Sequence, residues 1–275
     1  MAEESSGSPA EAVPRGVDPR VPNPARVWNY WCGGKDNYKA DRDVGDETLK
    51  AMPVVGMLAR ADRAFLGRAV RYLVGEAGVR QFLDIGTGLP TADNTHEVAQ
   101  GIAPETRVVY ADNDPVVLAH ARALLTSTAA GKTDYIDADL RDPDKILAAA
   151  TQTLDFGQPV AVLLLAILGF ISDSERPHAI VARLMDAVPS GSYLVISHPA
   201  KGISDEMAKA ERIWNERSPY KIRLRSPADI ARFFDGLELL DPGVVQLPQW
   251  RPPVSHIGSG SGPVVPHYCG VGRKI

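Results

Sequence analysis

Cysteine is nearly absent from this chain. Its 275 residues hold two, Cys32 and Cys269, far apart and outside any Cys-x-x-Cys spacing. That pattern argues against a disulfide-stapled scaffold and suits two reduced thiols in a cytoplasmic protein. The six histidines have no His-x-x-x-His or similar spacing, so no metal is expected. Positive charge is not in excess: 30 Lys and Arg stand against 34 Asp and Glu, a net charge of −4. Such a balance advertises no surface for nucleic acid or an anionic membrane, and a small or neutral partner is easier to accommodate. No apolar run is long enough to span a membrane, and the first residues lack the apolar core of a signal peptide. What is present is 44% hydrophobic and 23% charged residues, enough at this length for one large α/β domain.

Residues 1–20 are rich in Ser, Glu, Pro, Gly and Ala and read as a disordered tail. Residues 21–275 read as a single domain, with a cap and helices over 21–77 and a core over 78–275. The core is organised around residues 81–122. Phe82-Leu83-Asp84-Ile85 is a short apolar run that stops at Gly86-Thr87-Gly88, as a buried parallel strand ending in a tight turn would. Helical spacing follows over 91–100. A second strand, Val108 to Ala111, runs into Asp112-Asn113-Asp114-Pro115, where Asp114 and Pro115 form a helix start.

Glycines after the first strand let a ligand approach the backbone, and an acid after the second can take both hydroxyls of a ribose. Gly86-x-Gly88 is only half of a dinucleotide fingerprint: the third glycine would fall at Thr91, and Pro90 stiffens the turn. With Asp84 before the glycines, the spacing describes a pocket for a mononucleoside such as S-adenosylmethionine better than one for NAD, although a strand-to-helix turn without a ligand would use the same glycines. Residues 159–168 are the most apolar run and read as a central strand that brings Ala166 to the ligand edge. His198 follows the fifth strand, at a carboxyl end. It is a candidate general base or a hydrogen-bonded structural histidine. Residues 22–42 carry Trp28, Tyr30, Trp31 and Tyr38 beside Lys35, Asp36 and Asn37, either as a lid over the pocket or as a docked segment.

Asp-Ile-Gly-Thr-Gly followed by Val-Tyr-Ala-Asp-Asn-Asp-Pro resembles the class I S-adenosylmethionine-dependent methyltransferases. The opening Asn23-Pro24-Ala25-Arg26 … Gly33-Gly34-Lys35-Asp36-Asn37-Tyr38 … Asp41-Arg42, the loop Asp84 to Thr91 and the ending Gly270 to Lys274 are similar to one bacterial family of S-adenosyl methyltransferases, over about Val21 to the C-terminus. The resemblance implies a Rossmann-like α/β fold with a seven-stranded, mostly parallel sheet, an antiparallel last strand and an N-terminal helical cap. It implies methyl transfer from S-adenosylmethionine to a small acceptor. Asp84, Gly86, Thr87, Gly88, Asp112, Asn113 and Ala166 would then meet the cofactor, Asp139 and Leu140 its adenine, and Tyr30, Lys35, Asp36, Asn37 and Tyr38 would close the top. A non-catalytic S-adenosylmethionine-binding protein and an NAD-dependent oxidoreductase are the alternatives.

Overall fold

The computed structural model describes residues 13–14, 16–124, 126–252 and 264–275. Most of the expected tail lies outside them. Three helices come first: α1 (Pro24–Trp31), α2 (Lys39–Ala51) and α3 (Val55–Gly75). Pro53 separates the last two, since the residue before a proline is disfavoured in the helical region and Met52 accordingly leaves it, at φ −139° and ψ 88°. Gly56 lies in the first turn of α3.

Strands and helices then alternate: β1 (Gln81–Ile85), α4 (Thr95–Ile102), β2 (Arg107–Asp112), α5 (Pro115–Leu124), β3 (Lys132–Asp137), α6 (Pro143–Ala150), β4 (Ala161–Leu165), α7 (Pro177–Asp186) and β5 (Tyr193–Pro199). Helix α8 (Asp205–Arg217), the short α9 (Pro227–Ala231) and strands β6 (Glu238–Leu239), β7 (Val245–Gln246) and β8 (His267–Arg273) complete the order. Strands β1 to β5 are parallel, and β8 runs antiparallel to β5. The sheet has eight strands in the order β3-β2-β1-β4-β5-β8-β6, with β7 also on β8. Because β5 covers β8 from residue 267 to 273, β6 and β7 share its other edge, at Arg273 and Cys269. The expected seven positions across the sheet are therefore present, the last one split in two.

Successive residues of each strand serve opposite faces. Phe82, Val108, Leu163 and Val195 pack under α3 and α4, against Phe65, Leu66 and Val98. Leu83, Val109, Val162 and Leu164 pack against α6 and α7 through Ile146, Ile180 and Leu184. Both faces are covered, which is why these strands read as continuous apolar runs.

Helices α1, α2 and α8 form a cap, where Val27 and Val44 meet Trp214. A buried charge network fastens it. Arg26, 4% exposed, sends Nε to Asp41 at 2.9 Å, Nη1 to Asp114 at 3.3 Å and Nη2 to the Val21 carbonyl at 2.7 Å. Asp41, fully buried, also accepts the backbone N–H groups of Asn23 and Tyr38, both at 2.8 Å. One carboxylate thus joins the starts of α1 and α2, and one guanidinium joins both to the loop after β2. Removing one partner of a buried pair strands the other, which costs about 3–5 kcal/mol. Asp41→Ala is expected to lower unfolding stability by about that amount in urea titration; an unchanged midpoint would show that the network contributes nothing net.

Candidate active site

The carboxyl ends of β2, β1, β4 and β5 lie side by side, followed by the amino end of the antiparallel β8. They border a cavity of about 840 Å³ roofed by the cap. Small-molecule sites run from roughly 300 to 1,000 Å³, so this one has room for a nucleoside and a second molecule.

At the end of β1, Gly86 and Gly88 both adopt positive φ, +74° and +67°. Their reasons differ. A Cβ at Gly86 would stand 2.6 Å from the Ile167 side chain, whereas one at Gly88 would meet nothing within 4 Å. The turn is tied to the second strand by Gly86 N–H on Ala111 O at 2.8 Å and by Gly88 N–H on Asp112 Oδ2 at 2.9 Å. Asp112 Oδ1 accepts Asp114 N–H at 3.0 Å. A carboxylate has about four acceptor positions, so Asp112 retains capacity toward the cavity it lines. Asp84 is buried and accepts from Thr95 Oγ1 at 2.6 Å, which pins the start of α4. That helix begins at Thr95 rather than Thr91: Asp93 has φ +60°, and the Glu97 carboxylate takes the Asn94 N–H at 2.8 Å. Burial raises the pKa of both Asp84 and Asp112 to about 6, against the hydrogen bonds that hold them.

Beyond the turn, β4 ends at Leu165, earlier than its apolar run suggests, because Ala166 takes φ +55° and turns the chain away. Its N–H meets the carbonyl and the hydroxyl of Ser197, at 3.0 and 2.9 Å. A non-glycine residue in this region is strained and is held by its surroundings. Ala166 lines the cavity, as do Asp84, Gly86, Thr87, Gly88, Asp112 and Asn113.

Several expected contacts fall elsewhere. Asp139 and Leu140 are not among the lining residues. Asp139 accepts from Asn113 Nδ2 at 2.7 Å and pairs with Arg141 at 3.2 Å, so it stands behind two residues that do line the cavity. Leu140 is buried in the core beneath α6. The cap reaches the cavity through Asn23, Trp28, Asn29 and Trp31, not through Tyr30 or residues 35–38. Tyr30 OH donates to Asp46 at 2.6 Å, Lys35 is exposed, and Asp36 lies 3.7 Å from His120. Asn37 Nδ2 donates to Asn29 and Gly34 O, both at 3.0 Å, while Tyr38 packs with Leu89 and Val116. The turn at Gly33-Gly34 sends this segment down the flank of the cap. Its polar groups set the shape of the cap rather than close the pocket.

His198 is not placed as a base. It lies inside β5, opposite Tyr268, with no exposure. Its Nε2 is 2.8 Å from Arg225 Nη1 and its Nδ1 is 2.8 Å from Pro199 O. Both nitrogens are occupied. Burial, helped by Arg225, depresses its pKa to about 3.

Among the lining residues that escaped the sequence reading are Arg63, Arg141, Asp62 and His267. Arg63 of α3 crosses to the loop before α4 and donates to Ala92 O and Asp93 O at 3.3 Å. Arg141 joins the Asn113 end of the cavity. Asp62 and His267, from α3 and β8, are each nearly fully buried on its other side. Asp62 did leave a trace: it occupies the apolar stripe Leu58, Phe65, Leu66, Ala69, where a charge is out of place. His267 left none. Among the described residues no His, Cys, Asp and Glu cluster could hold a metal, and no helix is long and apolar enough to cross a membrane.

A family model described as S-adenosyl methyltransferase matches residues 10–275. A crystal structure of a DUF574 family protein from Streptomyces avermitilis is 42% identical, with a TM-score of 0.90 over 94% of this chain and 99% of that one. A Thermobifida fusca protein provisionally assigned as a methyltransferase is 40% identical, with a TM-score of 0.86 over 94% and 97%. A S-adenosylmethionine-dependent methyltransferase from Anabaena variabilis shares the fold at 13% identity and a TM-score of 0.52, over 92% and 96%. No curated protein is significantly similar. The match over nearly the whole length decides between the readings that the half fingerprint left open, and the chain belongs to the S-adenosyl methyltransferase family.

Proposed function

We propose that the protein transfers a methyl group from S-adenosylmethionine to a small-molecule acceptor, with the cofactor lying across the ends of β2, β1 and β4. The acceptor lies beyond β4, under the cap. The observation that carries this arrangement is the junction of Gly88 N–H with Asp112, which fixes an open backbone turn and an acceptor carboxylate at one distance from each other.

The residues present fit the cofactor. A turn with open space at Gly88 leaves room for the methionine part, and Thr87 sits between the two glycines. Asp112 keeps acceptor capacity for the ribose hydroxyls. Arg63 lines the cavity and donates to the Ala92 and Asp93 carbonyls in the loop that follows the glycine turn, and we assign it the carboxylate of the methionine part. Asn113 and Arg141 would border the adenine, with Asp139 holding both in position. Asp84 acts on the turn indirectly, through Thr95 and the start of α4. When bound, S-adenosylmethionine supplies a methyl carbon made electrophilic by its positive sulfonium. The chain's own task is to align the acceptor and exclude water, which Trp28, Trp31 and Trp214 do from the roof.

Residues 21–275 form one domain in this reading, with 21–77 as the N-terminal cap and helices and 78–275 as the core, whose helix α8 completes the cap. The acidic balance of the chain and its cavity favour small molecules over nucleic acid as partners, and two free cysteines suit a cytoplasmic enzyme of this bacterial family.

Two substitutions test the assignments. Asp112→Ala is expected to weaken S-adenosylmethionine binding at least tenfold by calorimetry, about 1.4 kcal/mol, and an unchanged affinity removes the ribose contact. Arg63→Met is expected to weaken S-adenosylmethionine by a similar factor while leaving adenosine binding within about twofold. Equal losses for the two ligands would show that Arg63 acts on the fold of the loop rather than on a carboxylate.

A further inference from the structure

Asp62 and His267 stand together at the far side of the cavity from Asp112, past Ala166, where the lining passes from β4 to β5 and β8. They are 4% and 1% exposed. Asp62 Oδ1 and both ring nitrogens of His267 lack a hydrogen-bond partner among the described residues. Buried polar groups are almost always paired, so three such atoms in one place need a reason. The two side chains do not satisfy each other: His267 Nε2 and Asp62 Oδ1 are 3.8 Å apart, beyond a hydrogen bond. That separation suits one shared heteroatom, since an oxygen or nitrogen about 2.8 Å from each closes the triangle.

We infer that Asp62 and His267 bind the methyl acceptor, by holding between them the hydroxyl or amino group that becomes methylated. This deepens the proposed function and rests on the cofactor lying across β2, β1 and β4. Topology supports the placement. The nucleoside end belongs to Asp112 on β2, and the glycine turn and Ala166 follow on β1 and β4, so the next position along the sheet edge faces the end of the cofactor that gives up its methyl group. The walls there are apolar and aromatic. Trp31 and Trp214 lie with ring centres 6.0 Å apart, and Met207, Leu66 and Leu224 complete the surface. A flat, largely apolar molecule with one polar hydrogen matches this lining better than a polyanion does.

The protonation states agree with that role. Burial pushes the Asp62 carboxyl up to about 6, opposed by a hydrogen bond from Ser197 and by Arg63, and assisted by Asp84. Burial, with His198 nearby, keeps the His267 imidazole neutral. Near pH 7 the pair is therefore a carboxylate that only accepts and a ring that offers one N–H and one lone pair. Asp62 selects a ligand that brings a hydrogen. As the acceptor heteroatom bonds to the methyl carbon with its electron pair, the carbon–sulfur bond breaks with its electrons going to sulfur, and the heteroatom's proton passes to Asp62.

The test uses the full-length protein saturated with S-adenosylhomocysteine, and two probes of one shape: 4-methylphenol, which keeps its polar hydrogen near pH 7, and 4-methylanisole, which lacks it. Calorimetry or tryptophan quenching reads both affinities. We expect 4-methylphenol to bind at least tenfold tighter than 4-methylanisole, because a site built around a donor rejects the analogue without one. Asp62→Asn and His267→Gln should each bring the ratio to within about twofold, while S-adenosylhomocysteine affinity stays within twofold of the parent and so reports an intact pocket. No binding of 4-methylphenol, or an equal preference for both probes in the parent protein, would overturn the pairing while leaving the cofactor assignment in place. A loss of S-adenosylhomocysteine affinity in Asp62→Asn would overturn it by moving Asp62 to the cofactor. Failure of S-adenosylhomocysteine to bind the parent protein would overturn the proposed function, and this inference with it.

Discussion

One guanidinium holds the two halves of this protein in register. Arg26 lies almost without solvent between Asp41 of the cap and Asp114 of the core. Asp114 gives its backbone N–H to Asp112, and Asp112 takes the N–H of Gly88. From the cap to the glycine turn there is thus a continuous path of short polar contacts. Desolvating three charges is costly, and only mutual pairing with additional N–H donors offsets it. The arrangement needs arginine: its planar fork reaches Asp41, Asp114 and the Val21 carbonyl at once and lies 5.3 Å from the centre of the Tyr38 ring, which one ammonium could not reproduce.

Along the sheet edge, chemistry changes in a fixed direction. Asp112, the glycine turn and Ala166 present backbone groups and one carboxylate, suited to a polar nucleoside and its tail. Farther on, the tryptophans of the cap, Met207 and Leu224 line the cavity together with Asp62 and His267. The acids at this edge share one physical condition. Asp62, Asp84 and Asp112 are all raised to about 6 because burial disfavours their charge. They remain largely ionised near neutrality, yet they are stronger hydrogen-bond acceptors toward a ligand than exposed carboxylates would be, because the low local dielectric strengthens each contact.

Much of the architecture was legible from local pattern. The alternation of apolar runs with helical spacing, the turn at Gly86 and Gly88, and the Asp114–Pro115 helix start all follow from the conformational limits of a few residues. Element ends were less legible where a single backbone angle decides them. Ala166 stops β4 and Asp93 delays α4; alanine gives no sign of a positive φ, and aspartate tolerates one without requiring it. The split of the last sheet position into β6 and β7 depends on which stretches reach β8, a pairing across more than twenty residues.

The site divides the same way. Gly86, Gly88, Asp112 and Asn113 lie within 28 residues of one another, so the sequence by itself determined that half: a strand, a glycine turn and a second strand ending in acid bring these groups together with little help from the rest. The other half was decided by tertiary structure alone. Asp62 and His267 are separated by more than 200 residues and meet only because α3 crosses the sheet edge and β8 inserts beside β5. The lysine and the acid at residues 35 and 36 look like ligand contacts as a motif, yet the turn at Gly33 and Gly34 carries them away from the cavity. Residue type and spacing specify local geometry, whereas burial and proximity across the chain arise from packing.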